Sequence, residues 1–217
     1  MRFKAALFDM DGTLLDTLAG IADSMNAMLA GSGYPQHPLQ AYKYFVGNGM
    51  EILVERAFPA AARTEQRIAQ GVAAMRADYR TRWRRTTTVY QGIPDLLTAL
   101  DRAGLKLAVL SNKSDDFTRE MAQELLSAWP FEVVLGARPE VPKKPDPSTA
   151  IEIAERMQVV PRDFLYLGDT AVDMTTAIGA GMHPIGALWG FRDAAELLEA
   201  GARMLVPQPT DLIAWLQ

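Results

Sequence analysis

The feature that most constrains this chain is an alternation of short apolar runs with stretches of helical spacing. Apolar runs of strand length occupy residues 5–8, 105–110, 131–135, 164–167, 184–188 and 204–206. Mostly apolar runs this short suit strands buried on both faces. Residues 93–103, 114–128, 147–157 and 171–180 carry apolar side chains at helical spacing, and Gly104 offers a stop for the first of them. The alternation predicts an α/β fold, a doubly wound parallel sheet with helices on both faces. Residues 17–88 break the pattern. Ile21, Met25, Met28 and Leu29, then Ile52 and Leu53, then Ile68, Val72 and Met75 recur at helical spacing with no strand between them. Gly31-Ser32-Gly33, Gly47-Asn48-Gly49 and Pro59 mark turns, and the β-branched Thr86-Thr87-Thr88 suits an extended return. The expected organisation is an α/β core of residues 1–16 and 89–217, with a small helical domain of residues 17–88 inserted after the first strand.

Composition narrows the function classes. A 49% hydrophobic, 22% charged chain is neither disordered nor a coiled coil. A net charge of -4 offers no general attraction to nucleic acid or anionic membranes, so neither is expected as a partner. With no cysteine there is no disulfide framework, no Cys-ligated zinc and no thiol catalysis. The first apolar run is too short for a signal-peptide core. A cytoplasmic protein, monomeric or homodimeric, is expected.

Acidic residues cluster where the apolar runs end. Asp9-Met10-Asp11-Gly12-Thr13-Leu14 closes the first run, and Gly168-Asp169-Thr170-Ala171-Val172-Asp173 closes a later one and opens a helix. An acidic turn or a complement to the helix dipole would use the same residues. In open α/β sheets, however, ligands bind beyond the C-terminal strand ends. Four carboxylates gathered at one such edge repel one another unless a cation or shared proton intervenes. Neither His37 nor His183 has a partner at ligand spacing. An all-oxygen set of this kind suits Mg²⁺. Ser111-Asn112 follows the run 105–110 and offers anion donors, or equally a helix cap. Lys144, in Lys143-Lys144-Pro145, could neutralise a phosphate or lie solvated. Trp189-Gly190-Phe191 is expected to pack in the core.

In chain order, Asp-x-Asp-Gly-Thr, a strand-terminal Ser, Lys-Pro and Gly-Asp-x-x-x-Asp resemble the haloacid dehalogenase superfamily over residues 8–173. The helical insertion is similar to that superfamily's cap. Val46-Gly47-Asn48-Gly49, Ser111-Asn112-Lys113, Lys144-Pro145 and Ala180-Gly181-Met182 leading to Trp189-Gly190-Phe191 resemble its bacterial phosphoglycolate phosphatases. Asp146 stands where members often carry His. The resemblance implies a Mg²⁺-dependent phosphomonoester hydrolase with an aspartyl-phosphate intermediate. It implies Asp9 as nucleophile and Asp11 as general acid and base. Ser111, with Asn112, would hold phosphoryl oxygens, and Lys144 would offset charge on Asp9 and the phosphate. The implied metal ligands are Asp9, the backbone carbonyl of Asp11, Asp169, and Asp173 directly or through water. Gly47, Asn48 and Gly49 fall in the cap's substrate loop, with Lys43 a nearby cation. The implied substrate is a small anionic phosphorylated metabolite, 2-phosphoglycolate first. Sugar-phosphate phosphatases, phosphomutases and pyrophosphatases share these motifs. A 2-haloacid dehalogenase needs neither Asp11 nor Gly168-Asp169, and a non-catalytic phosphate-binding module needs no complete carboxylate set.

Overall fold

The computed structural model describes residues 3–215. β1 (Ala5–Phe8) leads through a tight turn to β2 (Leu15–Asp16). Four helices follow: α1 (Leu18–Gly31), α2 (Leu39–Phe45), α3 (Met50–Ala57) and α4 (Glu65–Thr86). After β3 (Thr88–Val89) and α5 (Ile93–Arg102) come β4 (Lys106–Ser114), α6 (Asp115–Leu125), β5 (Phe131–Ala137) and α7 (Ser148–Met157). The chain closes with β6 (Phe164–Gly168), α8 (Ala171–Gly179), β7 (His183–Ala187), α9 (Ala194–Glu199), β8 (Met204–Val206) and α10 (Asp211–Trp215).

Six strands form one parallel sheet in the order β5-β4-β1-β6-β7-β8, the α/β architecture that the alternation predicts. The first strand lies between β4 and β6, so the chain leaves it in both directions and creates a crevice at its C-terminal end. Strand periodicity sorts the core. Ala6, Phe8, Leu107, Val109, Leu165 and Leu167 join an apolar cluster that continues through α5 and α6 into α1 and α4. Their alternates Ala5, Leu7, Ala108, Leu110, Phe164 and Tyr166 pack on the other face against Ile153 and Met157 of α7 and Ala177 of α8. The strands β2 and β3 pair antiparallel, Leu15 with Val89 and Asp16 with Thr88, so the two crossings between sheet and insertion lie side by side.

Of the boundaries that differ from the sequence expectation, two have a visible cause. The strand predicted over 105–110 continues to Ser114, because a register shift after Leu110 lets Ser114 pair with Ala137 of β5. Thr86 is helical and not part of the extended return, since its hydroxyl donates to the Arg82 carbonyl one turn back, 3.2 Å away. Of the Trp189-Gly190-Phe191 stretch, Phe191 is buried, while Trp189 is half-buried with its indole donating to the Thr13 carbonyl at 2.9 Å.

Candidate active site

Asp9 follows β1, Ser111 lies in β4 and Asp169 follows β6, so three adjacent strands deliver three functional groups to one crevice. The turn after Asp9 is tight: the Met10 carbonyl accepts from Thr13, Leu14 and Leu15 amides. Gly12 has φ +85°, and a Cβ there would stand 2.3 Å from the Asp169 carboxylate, so only glycine fits both the turn and its neighbour. Asp169 is held at both oxygens, by the Thr13 hydroxyl at 3.0 Å and the Phe191 amide at 2.8 Å.

Asp9, Asp169 and Asp173 are buried, and each offers a carboxylate oxygen within 4.8 Å of the others. Lys144 reaches into this group from the loop after β5. Its ammonium meets Asp173 at 2.6 Å, Asp9 at 2.9 Å and the Leu110 carbonyl at 3.0 Å. Asp173 also accepts from the Thr170 amide and hydroxyl, closing a capping box on α8. Both of its oxygens are therefore engaged inside the chain. Burial pushes the Asp9 carboxyl up to about 7; Lys144 pulls it down, while Asp173 and Asp11 raise it further. Burial, then Asp173 and Asp9, hold Asp169 well above the ordinary carboxylate range. Burial alone would lower Lys144, but the charges of Asp173 and Asp9 outweigh it and keep the ammonium protonated. Three carboxylates thus meet one cation. Their oxygen-only donors and their excess negative charge fit a hard divalent ion such as Mg²⁺.

The Asp11 side chain stands outside that group. Both of its oxygens lie 3.0 Å from the Lys113 ammonium, which also contacts the Tyr79 hydroxyl of α4 at 3.2 Å. Lys113 and Tyr79 are site residues to which the motif reading gives no role. The sequence signal for Lys113 is its place next to Ser111-Asn112; Tyr79 has none, since it sits in a helix 68 positions from Asp11 (79 minus 11). The Asn112 side chain is engaged within the chain. Its amide nitrogen donates to the Gly47 and Lys144 carbonyls and its oxygen accepts from the Lys144 amide, all at 2.9 Å. It ties the turn at Gly47 and the backbone of Lys144 to β4. The Ser111 hydroxyl accepts from the Lys113 amide at 3.3 Å, which leaves its own proton to donate.

These groups line an inner cavity of about 50 Å³. Asp9, Asp11, Ser111 and Lys113 form its floor, and Ile21, Val46, Met50, Leu53, Met75 and Phe191 supply apolar walls. Gly47 and Gly49 also line it, at φ +120° and +91°. Asn48 and Lys43 are not among its lining residues, and the Lys43 carbonyl instead accepts from Arg192. A wider groove of about 540 Å³ adjoins it, sharing Met50, Asn112 and Ser114 and lined by Glu51, Arg76, Asp116, Arg138 and Lys143. Ion pairs cross this groove: Lys143 to Glu51 at 2.7 Å, and Arg76 to Asp116.

Comparison with known proteins places the chain. A family model described as haloacid dehalogenase-like hydrolase matches residues 6–187. A phosphoglycolate phosphatase of Nitrosospira multiformis is 31% identical over 209 residues, 94% of this chain and 91% of its own length. A phosphoglycolate phosphatase of Pseudomonas putida is 29% identical over 191 residues, covering 87% of this chain and 70% of the relative. A solved structure from Lactobacillus delbrueckii subsp. bulgaricus superimposes with a TM-score of 0.92 at 27% identity, covering 100% of this chain and 99% of that one. Among the described residues, no helix is long and apolar enough to cross a membrane.

Proposed function

Because the chain belongs to the haloacid dehalogenase-like hydrolases, we propose that this phosphatase is a Mg²⁺-dependent phosphomonoesterase acting on 2-phosphoglycolate through an aspartyl-phosphate. The observation that carries the reading is the buried group of Asp9, Asp169 and Asp173 at the sheet edge, with Asp9 opening onto a small cavity. Phosphoglycolate phosphatases among the relatives supply the substrate. Residues 17–88 act as a cap over a core of residues 1–16 and 89–217, and the two adjacent crossings at β2 and β3 are its hinge.

Asp9, Asp169 and the Asp11 carbonyl would hold Mg²⁺, with Asp173, whose oxygens are engaged by Lys144 and Thr170, acting through water. Bound there, the ion offsets repulsion between carboxylate and phosphate and polarises the phosphoryl oxygens. Asp9 Oδ1 accepts from the Met10 amide at 2.7 Å and pairs with Lys144, which orients the carboxylate and leaves Oδ2 as the attacking atom. As Oδ2 bonds to phosphorus, the ester P–O bond breaks and the leaving oxygen takes the proton of Asp11. In the second half, Asp11 takes a proton from water, the water oxygen bonds to phosphorus, and the Asp9–phosphorus bond breaks to release inorganic phosphate. Ser111 donates to a phosphoryl oxygen. Lys144 counters the charge that grows there, and Asp173 holds Lys144 in place. The small cavity excludes bulky leaving groups and bulk water.

The test is a panel of 2-phosphoglycolate, a hexose phosphate, a nucleoside monophosphate and pyrophosphate, assayed with Mg²⁺ and with excess chelator. The reading requires 2-phosphoglycolate to exceed the others in kcat/KM by at least about tenfold, roughly 1.4 kcal/mol. Full activity in chelator would refute the metal, and a flat panel would refute the substrate.

A further inference from the structure

We infer that Lys113 recognises an anionic group on the substrate's leaving group and is the residue that selects short hydroxy-acid esters. The inference rests on the phosphomonoesterase reading and names the residue that sets its substrate class.

Away from its floor the inner cavity is walled mostly by apolar side chains, with Tyr79, Asn112, Ser114 and Thr170 its neutral polar ones. Ile21, Val46, Leu53 and Met75 can offer a carboxylate no hydrogen bond, and a charge buried against them without a partner is strongly disfavoured. Among the described lining residues, Lys113 is the one cationic side chain. Its side chain is 6% exposed, so it is a built part of the site. The other nearby lysines do different work: Lys144 lies beneath the floor between Asp9 and Asp173, and Lys143 pairs with Glu51 in the outer groove.

Lys113 also measures distance. Its ammonium is 3.0 Å from both Asp11 oxygens, and Asp11 is the group that must reach the leaving oxygen. A substrate anion that meets Lys113 therefore lies within a few bonds of the ester oxygen. A carboxylate one carbon away satisfies this; the second charge of a long or bulky ester does not. On its far side the ammonium contacts the Tyr79 hydroxyl at 3.2 Å and lies 4.7 Å from the centre of that ring. Through Tyr79 of α4, the insertion holds the cation in position at the floor.

The experiment measures kcat/KM for 2-phosphoglycolate and for 2-hydroxyethyl phosphate, an ester of similar size without the carboxylate. It uses the wild type, Lys113→Met, Lys113→Gln and Lys113→Arg. Any disturbance of Asp11 acts on both esters and cancels in their ratio. The wild type should favour the carboxylate ester, and both neutral variants should lower that ratio by at least about tenfold. Lys113→Arg, which keeps the charge, should recover part of it. Lys113→Gln leaves a polar group beside Asp11 and gives the reading if Lys113→Met does not fold. An unchanged ratio with both rates reduced would overturn the inference. Lys113 would then only position Asp11, and the anion would find the amides at the start of α3. If the wild type prefers a different short anionic ester and the neutral variants abolish that preference, Lys113 keeps its role and 2-phosphoglycolate is lost.

Discussion

At the floor of the inner cavity, Asp9, Asp11 and Ser111 are delivered by strands that pair with parallel neighbours inside one sheet. At its roof, Ile21, Leu53 and Met75 come from α1, α3 and α4, with α1 and α3 each packed on α4. The floor concentrates like charges in a dry place and holds each with a named donor. The roof is apolar and carries its charges on the outside, in pairs such as Arg76–Asp116 and Arg84–Glu124 that join α4 to α6. The contrast separates two tasks. A floor of unbalanced carboxylates is suited to bond making and is poor for stability, whereas a roof of close-fitting aliphatic groups is suited to size selection and adds to stability.

Substitutions can break this separation. Asp9→Asn should have the largest effect, a loss of at least about 10⁴-fold in kcat, near 5.5 kcal/mol, because an amide cannot act as the nucleophile. Steady-state assay of an aryl phosphate measures it, and circular dichroism should show an unaltered fold.

The same variant probes the stability cost of the floor. Without metal, the folded pKa of Asp9 is raised to about 7 by burial, against an ordinary 3.8. Between those values the folded chain binds more protons than the unfolded one, so this group's contribution falls as pH rises from about 4 to about 7 and is constant above. The full penalty is at most of order 4 kcal/mol. In chelator, Asp9→Asn should therefore gain stability over the wild type, and the gain should be larger at pH 8 than at pH 5. Denaturant melts at the two values measure it, and a pH-independent difference would contradict the assignment.

The roof should answer in the opposite way. Leu53 is 5% exposed, and Leu53→Ala should destabilise the fold by roughly 3 kcal/mol through the void it leaves. It should change kcat on a small aryl phosphate little while improving the relative kcat/KM of bulkier esters. The last expected effect is the finest. Asp11→Asn should lower kcat/KM, which reports the step that expels the leaving group, by about 10²-fold for alkyl phosphates and by less for aryl phosphates, whose leaving group needs no proton. Equal losses would remove Asp11 from the acid role.

How much of this was legible in the sequence follows from distance along the chain. The sheet announced itself because each strand is a local apolar run, and the acidic groups were visible because they sit within a few residues of strand ends. Asp9 with Asp11 and Asp169 with Asp173 are short-range patterns. The partners of those groups are not. The Lys113–Asp11 pair spans 102 positions, and Asn112 reaches Gly47 across 65 and Lys144 across 32. No local pattern distinguishes a lysine that bonds Asp11 from a solvated one, or an amide that binds phosphate from one that ties loops together. Thr86 shows the reverse limit: its β-branched neighbours suggest extension, but a side-chain bond to the previous turn keeps it helical.

The central claim is that the sheet edge makes a covalent bond to phosphorus through Asp9, and peptide mapping of an acid-quenched reaction tests it most directly. Asp11→Asn is the form to use, because the residue proposed to activate water is missing and the acyl phosphate should accumulate. With an aryl phosphate and Mg²⁺, the peptide containing Asp9 should carry one phosphoryl group, lost on treatment with hydroxylamine and absent when chelator replaces Mg²⁺. A phosphoryl group on any other residue, or aryl phosphate turnover by this variant with Asp9 unmodified throughout, would contradict the account.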